Sequence, residues 1–210
     1  MAARRDPLDE FRRAASGCRA CPLWRDATQT VFGEGSARAA IVLVGEQPGD
    51  VEDRAGRPFV GPAGHLLDEA LAAAGLDRAS VYLTNAVKHF KWTLRGKRRL
   101  HKTPAQREIE ACEQWLAREL ATIAPRLVVC LGATALRAVL GRPAPVGSLR
   151  GRIVTRPGKP ALLVTVHPSY VLRVPSGEAR RGAARARRGP PRRCAVRRER
   201  LRTPARAGAS

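Results

Sequence analysis

The sequence predicts an α/β domain with a mostly parallel sheet. The run Ala39–Val44 is apolar without alternation, which is typical of a strand that is buried on both faces. Segments with helical spacing alternate with this and other strand-like runs along the chain. Polar or Gly-rich segments follow three predicted strands, and open α/β sheets bind ligands at the carboxyl ends of their strands. We therefore expect these three loops to meet in one crevice.

The first half of the chain carries two helical patterns and two strand patterns. Asp6 and Pro7 suit the N-cap and the first position of a helix. Leu66, Leu67 and Leu71 recur at helical spacing. The predicted elements are a helix from Asp6-Pro7 to about Ala15, the strand Ala39–Val44, a helix over Ala63–Ala74 that ends at Gly75, and a strand over Val81–Thr84.

The second half repeats the alternation after a basic segment. Short apolar runs bounded by helical segments are typical of parallel strands joined by crossover helices. The predicted elements are a loop over Lys88–Thr103, a helix over Pro104–Thr122, the strand Leu127–Leu131, a helix over Ala133–Leu140, and strands near Ile153 and over Ala161–Val166.

The chain is strongly basic, with a formal net charge of +21. Residues 176–210 hold twelve Arg and two Glu, a contribution of +10 that leaves +11 for residues 1–175. A basic body indicates a polyanionic partner, most simply nucleic acid. The segment 176–210 has almost no large apolar residues, so we interpret it either as a disordered basic arm or as the product of a shifted reading frame.

No apolar run reaches the length that a membrane span needs, and the amino terminus lacks the apolar stretch of a secretory signal. We therefore expect a monomeric, cytoplasmic and nucleoid-associated protein with no membrane partner. At 210 residues the chain is long enough for one domain with a real core, which we place at 1–175.

Five cysteines in a protein of this kind indicate metal or redox chemistry rather than a disulfide framework. Cys18 and Cys21 form a CxxC pair, and Cys112 and Cys130 lie far downstream in the sequence. Four thiolates suit zinc or an iron–sulfur cluster, and their spacing does not choose between the two. Alternatively, Cys112 and Cys130 are small buried residues of a helix and a strand.

The most informative segment is GEQPGDVEDRAGRPFVGPAG, from Gly45 to Gly64, which directly follows the first predicted strand. It carries four carboxylates within eight positions, at Glu46, Asp50, Glu52 and Asp53. Its glycines match neither GxGxxG nor a P-loop, and the carboxylates would repel a phosphate. The segment is a candidate active site, and the usual nucleotide-binding enzymes are disfavoured.

Three motifs together resemble the uracil-DNA glycosylase superfamily, specifically family 4: GEQPGDVEDRAGRPFVG, the lone Asn85 after a predicted strand, and HPSYVLR. The inserted KRRLH, Lys97–His101, is similar to the signature loop of the UdgX-type members, in which a histidine bonds covalently to DNA. The resemblance covers roughly residues 10–175. It implies a three-layer α/β/α fold, a substrate of uracil-containing DNA that includes single strands, and a [4Fe–4S] cluster on Cys18, Cys21, Cys112 and Cys130.

The resemblance also implies roles for residues around a flipped uracil. Phe59 stacks on the base, and the Asn85 amide matches uracil O4 and N3–H but not cytosine. His167 donates to uracil O2 as negative charge develops there. Glu46 lies near C1′, where a carboxylate stabilises the cationic sugar or accepts a proton, and Gln47 shapes the base pocket through its backbone.

The remaining site residues are expected to orient loops or contact the DNA. Asp50 and Asp53 are assigned to the substrate site, where they orient loops or hold Lys and Arg partners. The expected phosphate contacts and apolar wedge are Ser169, Arg173 and Leu172 from HPSYVLR, and Lys88, Lys97 and Arg99 around the basic loop.

The segment RGKRRLHK has two interpretations. As a charge run it is a solvated phosphate-binding surface. His101 is the exception, because a neutral imidazole is a nucleophile at physiological pH. The sequence therefore predicts a glycosylase that is consumed when His101 bonds to C1′. The alternatives are a glycosylase that turns over with water as nucleophile, and a noncatalytic DNA-binding protein with an iron–sulfur cluster.

Overall fold

A computed structural model describes residues 6–174. Its strands are β1 (Ile41–Gly45), β2 (Tyr82–Asn85), β3 (Trp92–Arg95), β4 (Arg98–His101), β5 (Leu127–Leu131), β6 (Ile153–Arg156) and β7 (Lys159–Thr165). Its α-helices are α1 (Asp9–Ser16), α2 (Asp50–Ala55), α3 (Pro62–Ala73), α4 (Gln106–Ile123), α5 (Ala133–Leu140), α6 (Val146–Leu149) and α7 (Pro168–Arg173). Two 3₁₀ helices, Pro22–Arg25 and Arg78–Ser80, connect them.

Five strands form one sheet in the order β2-β1-β5-β7-β6. The pairings β2-β1, β1-β5 and β5-β7 are parallel, and only β6 runs antiparallel to its neighbour β7. Strand β1, which pairs with β2 and β5, is buried along almost its whole length, as a continuous apolar run predicts.

Helices cover both faces of the sheet because successive residues of β1 point to opposite sides. Val42 and Val44 lie in a core formed with α1, α4 and α5, whereas Leu43 packs in a second core that includes Leu67 and Leu71 of α3. The predicted three-layer α/β/α class is confirmed.

The largest departure from the sequence prediction lies within the predicted loop Lys88–Thr103. Strands β3 and β4 form an antiparallel hairpin there, with Trp92 opposite His101 and Arg95 opposite Arg98. Gly96 turns the chain between them with a φ of 60°, a conformation that favours glycine. The basic segment is therefore a built element that delivers His101 at its end.

Three helices were not predicted, and one predicted helix begins later than expected. Helix α2 occupies part of the acidic segment, α6 precedes β6, and α7 begins directly after His167. Helix α1 begins at Asp9 rather than at the Asp6-Pro7 pair. Before it, Asp6 forms a turn in which its carboxylate accepts a hydrogen bond from the Leu8 N–H, 2.9 Å away.

Within residues 6–174 there is no helix with both the length and the apolar character needed to cross a bilayer. The predicted basic tail, 176–210, lies outside the described residues, so both interpretations of it stay predictions.

Candidate active site at the carboxyl edge of the sheet

The side chains that follow β1, β2, β5 and β7 meet at the carboxyl edge of the sheet, and the β3-β4 hairpin closes over them. Glu46, Asn85 and His167 come from the three predicted loops, and the hairpin adds His101. Parallel strands bring their carboxyl ends to one edge, so this convergence follows directly from the topology.

Gly45, Phe59 and Asn85 lie together at this edge and border the candidate base pocket. A Cβ on Gly45 would lie 2.4 Å from Asn85 Oδ1 and 2.6 Å from Phe59 Cζ, so only glycine leaves both side chains room there. Asn85 is buried, and its Oδ1 has no hydrogen-bond partner among residues 6–174. A buried unpaired amide oxygen carries a desolvation cost that a ligand N–H would remove.

Phe59 is held in an unusual backbone conformation at the wall of this pocket. Its φ is 55°, rare for a non-glycine residue. The buried Glu52 carboxylate fixes the segment by accepting hydrogen bonds from the N–H groups of Val60 (3.1 Å) and Gly61 (2.7 Å). A Cβ on Gly64 would lie 2.0 Å from the Phe59 carbonyl oxygen. The aromatic wall is thus preformed, and Glu52 is a supporting residue for which the sequence predicted no role.

His167 presents an N–H group to the same pocket. Its Nδ1 accepts a hydrogen bond from the Ser169 N–H at 3.1 Å, which assigns the proton of the neutral ring to Nε2. Nε2 is buried and has no partner among the described residues. Burial, with smaller contributions from His101 and Arg173, lowers the pKa of His167 to about 4, so the ring is neutral at physiological pH. The ring centroids of His167 and Phe59 are 6.3 Å apart.

Glu46 lies between the hairpin and helix α5. Its Oε1 is 3.3 Å from His101 Nε2, and its Oε2 accepts a hydrogen bond from the hydroxyl of Thr134 at 2.5 Å. Burial lowers the pKa of His101, although the Glu46 carboxylate opposes this shift. Thr134 was missed by the sequence prediction, yet it follows the carboxyl end of β5 just as Asn85 and His167 follow their strands.

Two anchors hold the hairpin on the acidic segment. The buried Gln47 amide donates to the carbonyl oxygens of Lys91 (3.1 Å) and Lys102 (3.2 Å), and its Oε1 accepts from the Lys91 N–H. Arg99 pairs with Asp50 at 2.5 Å and with the fully buried Asp53 at 2.7 Å. The Arg99 guanidinium also stacks over the rings of Phe90 and Trp92.

These contacts correct the role predicted for Arg99 and agree with one of the roles expected for Asp50 and Asp53. Arg99 is not a phosphate contact, because its side chain is turned inward onto two carboxylates. Asp50 and Asp53 hold an Arg partner, one of the roles expected for them, and in that role they bind the hairpin instead of the substrate. The role of Gln47 in shaping the base pocket stays a prediction.

The predicted phosphate contact at Lys88 is also wrong. The Lys88 side chain is 1% exposed, and its Nζ donates to Glu119 Oε2 (2.6 Å), Thr84 Oγ1 (2.6 Å) and the Asn85 carbonyl oxygen (2.9 Å). A buried ammonium needs such a complete set of partners. Lys88 therefore supports the β2 end from inside the domain.

The other expected DNA contacts lie at the surface or support His167. Lys97 is exposed at the hairpin turn, and the Leu172 residue of α7 is 53% exposed. Arg173 folds back so that its Nε donates to the Ser169 carbonyl oxygen at 3.0 Å. These positions are compatible with contact to a DNA strand, and their DNA roles stay predictions.

Three of the four predicted cluster ligands, Cys18, Cys21 and Cys112, lie near enough to one another to affect the pKa values of Cys21 and Cys112, and Cys130 takes no part in this effect. Burial, together with the neighbouring thiols of Cys21 and Cys18, raises the pKa of Cys112 to about 12. Cys130 lies in the centre of the sheet on β5, and the charge that acts on its pKa is that of Arg156. No three His, Cys, Asp or Glu side chains of residues 6–174 are arranged to hold a single metal ion. The predicted four-cysteine cluster is therefore not confirmed.

A parallel α/β sheet that ends in a preformed flat-ring pocket, beside a carboxylate and two neutral imidazoles, defines a class of enzyme that binds a planar base and acts on the bond that carries it. Residues 32–188 match the Uracil DNA glycosylase superfamily. The chain belongs to that superfamily, and the predicted uracil-DNA glycosylase enzyme is confirmed at this level.

Several curated relatives are named type-4 uracil-DNA glycosylases. The protein from Thermotoga maritima is 38% identical over 182 residues, which cover 86% of this chain and 91% of the relative. The protein from Pyrobaculum aerophilum is 37% identical over 178 residues, covering 80% and 86%. The protein from Archaeoglobus fulgidus is 37% identical over 174 residues, covering 80% and 84%.

Proposed function

We propose that this enzyme excises uracil from DNA and that His101 then bonds to the sugar it leaves. The observation that carries the proposal is the 3.3 Å approach of His101 Nε2 to Glu46 Oε1. A carboxylate at C1′ stabilises an oxocarbenium ion, and an imidazole beside that carboxylate is in position to capture the ion.

The pocket is matched to uracil through two unpaired groups. Asn85 Oδ1 is free to accept the uracil N3–H, while its amide N–H₂ donates to O4. His167 Nε2–H is free to donate to O2, where charge develops as the base leaves. Phe59 supplies the stacking face. Cytosine, with an acceptor at N3 and a donor at N4, would leave both Asn85 groups unpaired.

The reaction balances without an added reagent. The C1′–N1 bond breaks, and its electron pair leaves with uracil as an anion that His167 stabilises. Glu46 Oε1 takes the proton from His101 Nε2, and the lone pair that this frees forms the new bond to C1′. The products are a neutral alkylated imidazole, a neutral Glu46 and the uracil anion, with the same total charge as the reactants.

A glycosylase that turns over is the second candidate, and the names of the type-4 relatives favour it. In that reaction Glu46 accepts a proton from water instead of from His101. The chemistry in the pocket is the same, so the two candidates differ only in the fate of the sugar.

The test is uracil release together with adduct formation on a uracil-containing single strand, resolved by denaturing electrophoresis and mass measurement. We expect the wild type to form an adduct that survives SDS and to release one uracil per molecule. His101→Ser should abolish the adduct and release many uracils, while the exposed His65→Ser serves as the matched control. An adduct that persists in His101→Ser, or repeated turnover by the wild type, contradicts trapping. A wild type that releases no uracil contradicts excision, the outcome expected of a noncatalytic binding protein.

The DNA partner follows from the same geometry. Base excision needs the nucleotide outside the stack, which costs least in a single strand, so we propose that single-stranded DNA is accepted. Exposed Lys97 and Leu172 lie on the hairpin and on α7, where they support contact to phosphate and to the vacated stack. We propose a monomer that acts at the nucleoid, with residues 1–175 as the glycosylase domain.

We also propose a structural iron–sulfur cluster on Cys18, Cys21 and Cys112, without Cys130. His89 is our candidate for the fourth ligand, because it lies near Cys18. Its Nε2 is 2.9 Å from Thr30 Oγ1, and both the Thr30 hydroxyl and the Cys18 N–H donate to the Ala15 carbonyl oxygen. Burial lowers the pKa of His89, so its ring is in the neutral form that ligates. Iron and sulfide analysis tests this: Cys112→Ser should lose iron and Cys130→Ser should keep it, and the opposite result contradicts the assignment.

A further inference from the structure

We infer that Thr134 is a positioning residue that aims the Glu46 carboxylate at the reacting centre, an assignment that rests on the proposed function. The Thr134 hydroxyl donates to Oε2 at 2.5 Å, and Oε1 faces His101 Nε2 at 3.3 Å. The two oxygens of one carboxylate thereby have different tasks. Oε2 is a fixed end, and Oε1 is left for the proton and for the developing charge at C1′.

Glu46 needs such a fixed end because its side chain is otherwise free to rotate. The backbone carbonyl of Glu46 accepts the Val87 N–H at 3.0 Å, which holds the main chain beside the β2 end. The terminal torsion of a glutamate is broad, so the main chain alone does not choose the direction of the carboxylate. Among residues 6–174, two side chains contact the Glu46 carboxylate: His101, and Thr134, whose hydroxyl donates a hydrogen bond to it.

Thr134 itself is fixed before substrate binds. Gly132 leaves β5 with a φ of 92°, and its N–H donates to the Thr165 carbonyl oxygen at 2.9 Å. Helix α5 then begins at Ala133, so Thr134 lies in its first turn. The β-branched side chain of threonine has two main rotamers in a helix, so its hydroxyl has few positions to choose from. The donor is therefore preorganised, the condition under which a hydrogen bond contributes to a transition state.

This contact also links the trap to the rest of the site. A Cβ on Gly132 would lie 3.5 Å from the Cβ of His167, so the turn that places Thr134 borders the turn that places His167. The ends of the adjacent strands β5 and β7 thus set two groups: the Glu46 Oε1 that faces the sugar and the His167 ring that faces the base.

Four proteins test the assignment: wild type, Thr134→Val, Thr134→Ser, and Thr122→Val as the matched control on α4. Valine keeps the shape and removes the hydroxyl, and serine keeps the hydroxyl. We measure the single-turnover rates of uracil release and adduct formation, and the affinity for an oligonucleotide with an uncleavable deoxyuridine analogue. Removing a hydrogen bond to a charged group should slow both rates by about tenfold to a hundredfold in Thr134→Val.

The affinity for the uncleavable analogue should stay at the wild-type value in Thr134→Val, because the contact acts on the reacting centre and not on the base. Thr134→Ser and Thr122→Val should keep wild-type rates. Wild-type rates in Thr134→Val overturn the assignment, and so does an equal loss in Thr134→Ser, which would assign the effect to packing. A wild type that releases no uracil overturns the proposed function itself and is recognised before any variant is compared.

Discussion

Arg99→Gln should separate adduct formation from uracil release. Arg99 joins the hairpin to Asp50 and Asp53 on α2, and the pocket residues Asn85 and His167 lie on other elements. Loss of this anchor loosens the strand that ends at His101 and leaves the base pocket in place. The trap should therefore weaken much more than excision.

The structure sets the size of the effect. The Asp50 partner is partly exposed, so its pairing with Arg99 contributes little in water. Asp53 is fully buried, and breaking a buried pair by removing one partner costs about 3–5 kcal/mol. Asp53 keeps the N–H of Thr28, 3.0 Å from its Oδ1, so we take the lower end, about 3 kcal/mol. At about 1.4 kcal/mol for each factor of ten, the anchored hairpin becomes roughly a hundredfold less populated.

The assay is single-turnover adduct formation beside uracil release on the same single-stranded substrate. Arg98→Gln is the matched control, because it removes the same charge from the neighbouring, exposed position of β4. We expect about a hundredfold slower adduct formation in Arg99→Gln alone, with uracil release near the wild-type rate. Equal losses in both variants would show that Arg99 acts through general charge. Unchanged adduct formation in Arg99→Gln would refute the anchoring role.

Two further predictions address the pocket and the imidazoles. Gly45→Ala should abolish uracil release, because its Cβ would lie 2.4 Å from Asn85 Oδ1, whereas Gly147→Ala, with no atom within 4 Å, should be neutral in the same release assay. Because burial lowers the pKa of His101, and that of His167 to about 4, below the ordinary value of about 6.5, both rings stay neutral as the pH falls through that value. Adduct formation should therefore persist below about pH 6.5. In this pH range the unfolded chain binds more protons than the folded chain, so the melting temperature should fall as the pH drops from about 6.5 toward 4. A melting temperature that rises over this range would contradict the neutral rings. Adduct formation that is lost at about pH 6.5 would contradict them as well.

The central sheet could be predicted from the sequence because its strands are short apolar runs. The predicted strand Leu127–Leu131 and helix Ala133–Leu140 have the observed bounds of β5 and α5. Strand β5 is buried almost throughout, and α5 buries one face through Ala135, Leu136 and Ala138, so the apolar pattern determines where each lies.

The hairpin was not predicted, because apolar and polar residues alternate over only the four residues of β3 and do not alternate in β4. RGKRRLHK carries the composition of a solvated loop. It forms strands because Gln47 and Arg99 attach it to the domain, and those contacts span 44 to 55 residues of sequence for Gln47 and 46 to 49 for Arg99. Local propensity is overridden here by tertiary contacts.

The same limit explains the errors at Lys88 and Cys130. A lysine near a basic loop suggests a phosphate contact, and only the fold reveals that Glu119, 31 residues away on α4, is its partner. Cysteine is both a ligand and a small apolar residue, and only the fold shows that Cys112 has the thiols of Cys18 and Cys21 near it, whereas Cys130 lies within β5. Side-chain chemistry was predictable at strand ends, where topology fixes the neighbours, and was not predictable elsewhere.

The hydrogen bonds of Gln47 to the hairpin have an evolutionary consequence. Its amide contacts only main-chain groups, at Lys91 and Lys102, the two ends of the inserted hairpin. Those contacts do not depend on the side chains between the two ends of the hairpin. The hairpin can therefore change in sequence and in length and still stay attached to the domain through Gln47. We expect such changes to alter what happens to the sugar and to leave the base pocket unchanged. New outcomes after base removal are accessible to this scaffold through one loop, without passing through an ancestor that had lost its specificity for the base.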